Sequence, residues 1–281
     1  MSDLELQPQK PHLTPAAHPH PPAGELAHAY GERVHILDNL HLSTLLARLG
    51  SVEVRHPEMV GVLRTIYRGL FITALGAELP RVQVEIPTRM AEHHPAEGVY
   101  RGPVVDPHTR VVVVDVVRAG IVPSQVCFEM LMSILPDDSV RLDHLTMSRV
   151  SDEEGHVVGV DLSGSKIGGT SEGAYLILPD PMGATGSTTV RAVNHYIENH
   201  GRPCRIVALP MISTPEYLRT VLEAFPELVV YTARLDRGLS PPEVLAQPPG
   251  TNWEQERGLN ELGYIVPGAG GMGEVLNNSW C

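Results

Sequence analysis

The sequence is short of cysteine, of positive charge and of long apolar runs, and each shortage removes a class of protein. Cys127, Cys204 and Cys281 are the only three cysteines in 281 residues and form no CxxC pair, so neither a disulfide framework nor a zinc site is indicated. They read as reduced thiols, two of them buried. Lys and Arg number 21 against 33 Asp and Glu, a net charge of −12. A protein that binds nucleic acid regardless of sequence needs a basic surface, so no nucleic-acid partner is expected. The longest apolar stretches, such as Val111 to Val117 and Ala174 to Leu178, fall well short of the roughly 20 residues that cross a bilayer, and no membrane partner is expected. MSDLELQPQK carries acids where a secretory signal would carry its basic segment, and no apolar segment follows it. A cytoplasmic location is the expectation.

What is present is core. Hydrophobic residues make up 42% and charged residues 19%, enough to bury one substantial domain. Residues 1–29 stand apart: Pro8, Pro11, Pro15, Pro19, Pro21 and Pro22 lie among His12, His18, His20 and His28 with few large apolar residues. That composition reads as a flexible tail. Its histidines have no helical i, i+4 partner and no cysteines, so no metal site is assigned there. Residues 30–281 are left as the folded domain.

Within it, Pro57 followed by Met59, Val62, Leu63, Ile66 and Leu70 at three- and four-residue steps predicts a helix lying against a sheet. Val82, Val84 and Ile86 alternate with polar residues, as in an edge strand. VVVVDVV, Val111 to Val117, is a β-branched run suited to a strand covered on both faces, although nothing in the pattern explains Asp115. Beyond Arg118-Ala119-Gly120, Pro123 opens an apolar-periodic stretch through Val126, Cys127, Met130 and Leu131, giving strand, tight turn, helix. The order recurs from Ala174 to Gly201 and from Arg205 through Thr214-Pro215 to Leu228 and Arg234. Strands alternating with helices at this spacing predict an α/β fold, a mostly parallel sheet with helices on both faces. Ligands in such sheets sit beyond the carboxyl ends of the strands, where the turn 118–120 and the loop 180–188 both fall.

The loop Asp180-Pro-Met-Gly-Ala-Thr-Gly-Ser-Thr188 joins a buried strand to a helix, and its small residues let backbone N–H groups converge on an anion. Thr185, Ser187 and Thr188 add hydroxyls. It is not a Walker A loop: Gly183 and Gly186 enclose two residues, and no lysine follows. Asp180, at the strand end, is placed to accept hydrogen bonds from a sugar diol while the backbone beyond it holds the phosphate.

These residues reach a known family. LPDPMGATGST resembles the 5-phosphoribosyl diphosphate (PRPP) loop of type I phosphoribosyltransferases in the uracil phosphoribosyltransferase form DPMLATGGS, with departures at Gly183, Ser187 and Thr188. ERGLNELGYIVPGAGGMGE, Glu256 to Glu274, is similar to the family's base-binding hood, ERLNEHGYIVPGLGDAGD, a far more specific motif. YTARLD, Tyr231 to Asp236, resembles the strand before the hood. VVRAG resembles the family's diphosphate-gripping ILRAG turn, and MSRVSDEEG, Met147 to Gly155, resembles its MYRNEE segment. The similarity is clear from Val111 onward and absent from the tail.

The resemblance implies a type I phosphoribosyltransferase fold with a C-terminal hood at about 257–274, and synthesis of UMP and diphosphate from uracil and PRPP. It implies that Arg118, Arg149 and Asp180 act in catalysis. PRPP would be held by these three with Pro181, Met182, Gly183, Ala184, Thr185, Gly186, Ser187 and Thr188, and Mg²⁺ would be bound mainly through PRPP rather than in a protein metal site. Ile265, Gly270, Gly271 and Met272 would meet uracil, largely through backbone groups, which allows the family's Ala to become Met272. A homodimer or higher homo-oligomer is the family expectation. Gly268-Ala-Gly270-Gly-Met-Gly273 also spells GxGxxG, but only eight residues follow it, too few for a dinucleotide fold.

Two departures bear on function. The family's hood aspartate falls on Gly271, with Glu274 in place of the next Asp, and an insertion at about 240–256 separates strand from hood. It reads as a surface excursion or a changed subunit contact. A catalytically weak, ligand-sensing protein on the same fold, or a transferase for another base, are the competing readings.

Overall fold

The structure is a computed structural model, and it describes residues 24–151 and 157–279. The expected tail therefore falls largely outside the described residues. Gly24 to Ala29, however, is pinned: Leu26 N–H donates to the Ile36 carbonyl and Ala29 N–H to that of Pro249.

In chain order the elements are β1 (Val34–Ile36), α1 (Leu40–Leu49), α2 (Glu58–Glu78), β2 (Arg81–Pro87), β3 (Val99–Val105), β4 (Val111–Val117), α3 (Ile121–Met132), β5 (Val140–Ser151), β6 (Val157–Lys166), β7 (Tyr175–Leu178) and β8 (Met182–Gly183). There follow α4 (Ser187–Asn199), β9 (Arg205–Ala208), β10 (Ile212–Ser213), α5 (Pro215–Ala224), β11 (Leu228–Thr232), β12 (Arg234–Leu235), α6 (Pro242–Leu245) and α7 (Met272–Asn277).

Seven strands form one sheet in the order β1-β11-β9-β7-β4-β5-β6. Every neighbouring pair is parallel except β5 with β6, an antiparallel edge hairpin. Strand alternation sorts the core into two layers. Val111, Val113, Ile177, Val207 and Val229 face α1, α2 and α3. Val112, Val114, Leu176, Ile206, Ala208 and Val230 face α4 and α5. A strand covered on both faces needs apolar residues at every position, which is why β4 reads as an unbroken valine run.

The helices follow from their stripes. Met59, Val62, Leu63, Ile66, Tyr67, Leu70, Phe71 and Ala74 of α2 are all buried, the three- and four-residue recurrence of a helix packed on one side. By length and composition alone helix α2 could also cross a membrane; this buried stripe is what its apolar residues serve here. Pro57 sits one position earlier than expected, as the cap residue. Helix α3 begins at Ile121, two residues before Pro123, because proline within a first turn lacks only an N–H that the helix does not use.

Val82, Val84 and Ile86 do lie on an edge strand, half exposed, in a separate two-stranded hairpin of β2 with β3. Cys127 is buried as expected, but Cys204 is exposed, and Cys281 lies outside the described residues.

The 240–256 insertion is a surface excursion, as expected, most of its residues exposed, and it is anchored through the buried Ser240, Val244 and Glu256. Glu256, 1% exposed, accepts from Arg237 Nη1 at 2.8 Å and Gly250 N at 2.9 Å, and from the hydroxyl of Tyr30. Trp253 meets Tyr30 edge-on, donates from Nε1 to the Pro215 carbonyl at 3.0 Å and carries the Arg219 guanidinium over its ring. The segment thus ties residues 29 and 30 to the start of α5.

Candidate active site

Three short strands continue the sheet's carboxyl end. β8, β10 and β12 form a parallel sheet in the order β12-β10-β8, each one following a main strand, β7, β9 and β11 respectively. The candidate residues converge on this end because the sequence places its turns there.

Arg118 begins the turn after β4, and its peptide bond to Val117 is cis. Gly120 closes the turn: a Cβ there would lie 2.7 Å from the Val116 carbonyl oxygen and 3.0 Å from Asp115 Oδ1, so no side chain fits. Arg118 is held from the C-terminal segment, Nη1 donating to the Ser279 carbonyl at 2.9 Å and Nη2 standing 3.6 Å from Glu274 Oε1. Ala119 lies beneath Gly273 of α7.

The backbone of Arg149 lies within β5, opposite Val160 of β6; its side chain is outside the described residues, as are 152–156 of the same segment. β5 runs past the last β4 pair, Val117 with Thr146, so position 149 stands three residues, roughly 10 Å, beyond the Arg118 turn.

Asp180 lies two residues beyond the end of β7, and its Oδ1 accepts from Met182 N at 3.2 Å. Pro181 leads into β8, formed by Met182 and Gly183, and Ala184 is buried. Thr185 and Ser187 share a hydroxyl hydrogen bond of 2.6 Å. Gly186 caps α4 with φ +84°, a left-handed conformation that glycine adopts without penalty, so Ser187 and Thr188 open the helix.

Gly183 has a physical reason. A Cβ there would lie 2.8 Å from Pro210 Cβ and 3.1 Å from the ring of Tyr217. Tyr217 fills the room a larger loop residue would take, with its hydroxyl 3.2 Å from Thr189 Oγ1, and burial raises its pKa above the ordinary tyrosine value. Gly183→Leu is therefore expected to overpack the loop and lower stability by about 1–3 kcal/mol, read by chemical denaturation. Adding Tyr217→Ala should recover part of the loss.

The hood is clamped from behind. Arg234 and Asp236 pair through two bonds of 2.7 and 2.8 Å, and both reach Gly268, whose N–H donates to Asp236 Oδ2 at 2.8 Å and whose carbonyl accepts from Arg234 Nη2 at 2.9 Å. Gly268 has φ +62°, and a Cβ there would collide with the Ile265 carbonyl. Glu216 of α5 accepts from Gly258 N at 2.9 Å. Ile265 and Met272 are buried in the same apolar cluster as Ala184, Leu209, Met211 and Ile212, so hood and loop share one core. Gly270 has φ +76°, and Gly271 caps α7.

Asp115 also acquires an account. It is 1% exposed, its Oδ2 meets His144 Nδ1 at 2.7 Å, and its Oδ1 has no hydrogen-bond partner among the described residues. The neighbouring Ser124 hydroxyl is turned to the Ile121 carbonyl. Burial raises the Asp115 pKa above the ordinary value, and His144 and, more weakly, the nearby Ser124 hydroxyl oppose this. An acid with a raised folded-state pKa loses stability as pH climbs from its unfolded pKa to its folded one. Asp115→Asn is thus expected to gain melting temperature over the parent between pH 4 and pH 7; a constant difference across that window would contradict it.

Arg234, Asp236, Glu216 and Tyr217 support the site from behind, and no motif in the sequence assigns them that role. The i, i+2 spacing of Arg234 and Asp236 was the one available signal, since it puts two opposite charges on one side of a strand.

The mostly parallel sheet, the glycine-rich loop after β7 and the hood after β12 define a type I phosphoribosyltransferase fold. The sequence profile of the uracil phosphoribosyltransferase family matches residues 36–278, and the chain belongs to that family. Uracil phosphoribosyltransferases of Thermococcus gammatolerans and Thermosipho africanus are each 30% identical over 62% and 59% of this chain, and each alignment spans 64% of the relative. That of Pyrobaculum islandicum is 27% identical over 86% of this chain and 97% of its own. A solved protein of Aquifex aeolicus superposes with a TM-score of 0.65 at 20% identity, over 86% of this chain and 97% of that one, a likeness of fold.

Proposed function

We propose that this protein is a uracil phosphoribosyltransferase, moving the 5-phosphoribosyl group of PRPP onto a ring nitrogen of uracil and releasing diphosphate to give UMP. The observation that carries the reading is the meeting of the Arg118 turn, the Asp180 loop and the hood at one end of the sheet, with Arg118 linked to α7 and the loop and hood in one core.

In this reading the loop N–H groups and the hydroxyls of Thr185, Ser187 and Thr188 hold the 5-phosphate, and Asp180 accepts from the ribose diol. Arg118 and Arg149 bind the diphosphate, where a guanidinium fork stabilises charge on the departing oxygens. Positive charge develops on the sugar, so positioning and electrostatics do most of the catalysis. Ile265, Gly270, Gly271 and Met272 present backbone groups to the uracil edge, and an exchanged amino group on cytosine would leave buried partners unpaired. The donors at the strand ends, the Asp180 carboxylate and the loop hydroxyls, are hard oxygens and suit Mg²⁺, which keeps its waters and takes ligands from substrate phosphates. Bound with PRPP, Mg²⁺ would neutralise charge on the diphosphate.

The reading extends to a cytoplasmic enzyme that self-associates, supported by the exposed Ile86, Met90 and Tyr100 on the β2–β3 hairpin and its connection. The test is purified protein with labelled uracil, PRPP and Mg²⁺, following UMP, with cytosine, hypoxanthine and orotate as competitors. Turnover of uracil that these bases do not suppress supports the reading. No UMP, or preferred turnover of another base, overturns it.

A further inference from the structure

We propose that Asp115 is a positioning residue for the Arg118 turn: its buried carboxylate is the strut against which Gly120 rests, and His144 holds that strut in place. The inference rests on the reading of this end of the sheet as a sugar-diphosphate site, and deepens it by naming what sets the diphosphate-binding arginine from beneath.

Asp115 breaks the pattern of its own strand. β4 reads VVVVDVV, and a strand covered on both faces takes an apolar residue at every position. The Asp115 side chain is nonetheless enclosed, 2% exposed, and its Oδ1 has no hydrogen-bond partner among the described residues. A buried acceptor in that state costs stability, and valine at 115 would remove the cost. The exception stands three residues before Arg118, and a broken local rule beside a site points to the site.

The geometry shows what the acid does there. Oδ2 lies 2.7 Å from Nδ1 of His144, the residue opposite Asp115 on β5. With Oδ2 anchored, Oδ1 is turned onto Gly120, 3.0 Å from where a Cβ of residue 120 would stand. The Gly120 N–H donates to the Val116 carbonyl at 2.9 Å and its carbonyl accepts from Ser124 N at 2.9 Å, so this one residue closes the turn and opens α3. Helix α3 has no side-chain cap and no acid in its first turn. On the other side Ala119 lies against Gly273 of α7. The turn that begins at Arg118 is thus gripped between α7 and the Asp115 carboxylate.

Valine would suit the strand and unseat the turn. Its side chain ends at the γ-carbons, one atom short of the aspartate oxygens that meet Gly120. His144, with 49% of its side chain exposed, would turn its Nδ1 to water. Substitution at 115 therefore separates the interest of the fold from that of the site.

The experiment compares the parent with Asp115→Val, Asp115→Asn, His144→Leu and Asp115→Val/His144→Leu. It is read in the Michaelis constants for PRPP and uracil, in melting temperature and, independently of turnover, in calorimetric binding of inorganic diphosphate with Mg²⁺. Asp115→Val is expected to melt at or above the parent while weakening PRPP and diphosphate about five-fold or more, the cost of a displaced positioning group. The uracil constant should stay within about two-fold, since the hood is untouched. Asp115→Asn keeps an atom against Gly120 and a partner for His144, so it should fall between the parent and Asp115→Val. His144→Leu releases Oδ2 and should weaken diphosphate in the same direction, and the double variant should be no worse than Asp115→Val, because both changes break one link. A merely structural role would move both Michaelis constants together and in step with melting temperature. Should Asp115→Val fail to fold, Asp115→Ala, which shortens the side chain without a branch, must show the same split between PRPP and uracil.

An Asp115→Val protein that binds diphosphate like the parent, or a double variant whose losses multiply, overturns the strut. If the parent makes no UMP but its diphosphate binding falls across the variants as stated, the strut stands and the transferase reading falls. UMP turnover with a PRPP constant unmoved by Asp115→Val does the reverse. A parent that binds no diphosphate overturns both.

Discussion

Arg118→Ala is expected to lower kcat/KM for UMP formation by about 10²–10³-fold, in line with the removal of a preorganised donor from a developing negative charge. Arg118 stands at the turn between β4 and α3, where Gly120 leaves no room for a side chain, so the backbone brings the guanidinium to the strand ends. The Ser279 carbonyl and Glu274 hold the guanidinium from the opposite side. Both contacts are partly exposed, and Arg118 itself is 32% exposed, so their loss should cost little stability, within about 1 kcal/mol. Loss of rate with a near-parental melting curve is therefore the expected pairing. Arg118→Lys should recover only part of the rate, because a point charge cannot reproduce a planar fork on phosphate oxygens. An alanine variant within three-fold of the parent would remove Arg118 from the diphosphate site.

That prediction rests on a part of the molecule the sequence made legible. The turn 118–120 is announced by the valine run before it and the apolar period after it, which bracket the strand's exit. The same logic places Asp180 and its loop. Other features were illegible for identifiable reasons. β5 and β6 alternate too irregularly to stand out, with register shifts at Thr146/Met147 and Val150/Ser151, so the strand that carries Arg149 has no signature in the sequence. The β2–β3 hairpin carries the alternation of an edge strand, and nothing local to Val82, Val84 and Ile86 says which sheet it joins. Residues 24–29 have a tail's composition, yet their backbone is held by β1 and by the insertion, partners more than 200 residues apart in the second case.

Asp236→Ala is expected to act on the other half of the site. Asp236 is 3% exposed and gathers three hydrogen bonds, two from Arg234 and one from Gly268 N. Removing it strands a guanidinium that is 27% exposed and an N–H at the pivot of the hood. Breaking a buried pair from one side costs about 3–5 kcal/mol, and the partial exposure of Arg234 places this case toward the lower figure, about 3 kcal/mol. The consequence for function follows from Gly268, which turns with φ +62° directly against the Ile265 carbonyl. Once Gly268 is released, Ile265 and the backbone groups offered to uracil lose their fixed position, so the Michaelis constant for uracil should rise by about ten-fold or more. PRPP, held mainly by the turn and the loop, should change by less than about three-fold. Asp236→Asn keeps an acceptor for Gly268 N and should fall between the two. Steady-state kinetics in each substrate, beside a denaturation curve, separates the cases: a uracil constant unchanged while stability falls would mean that the clamp supports the fold without setting the base site.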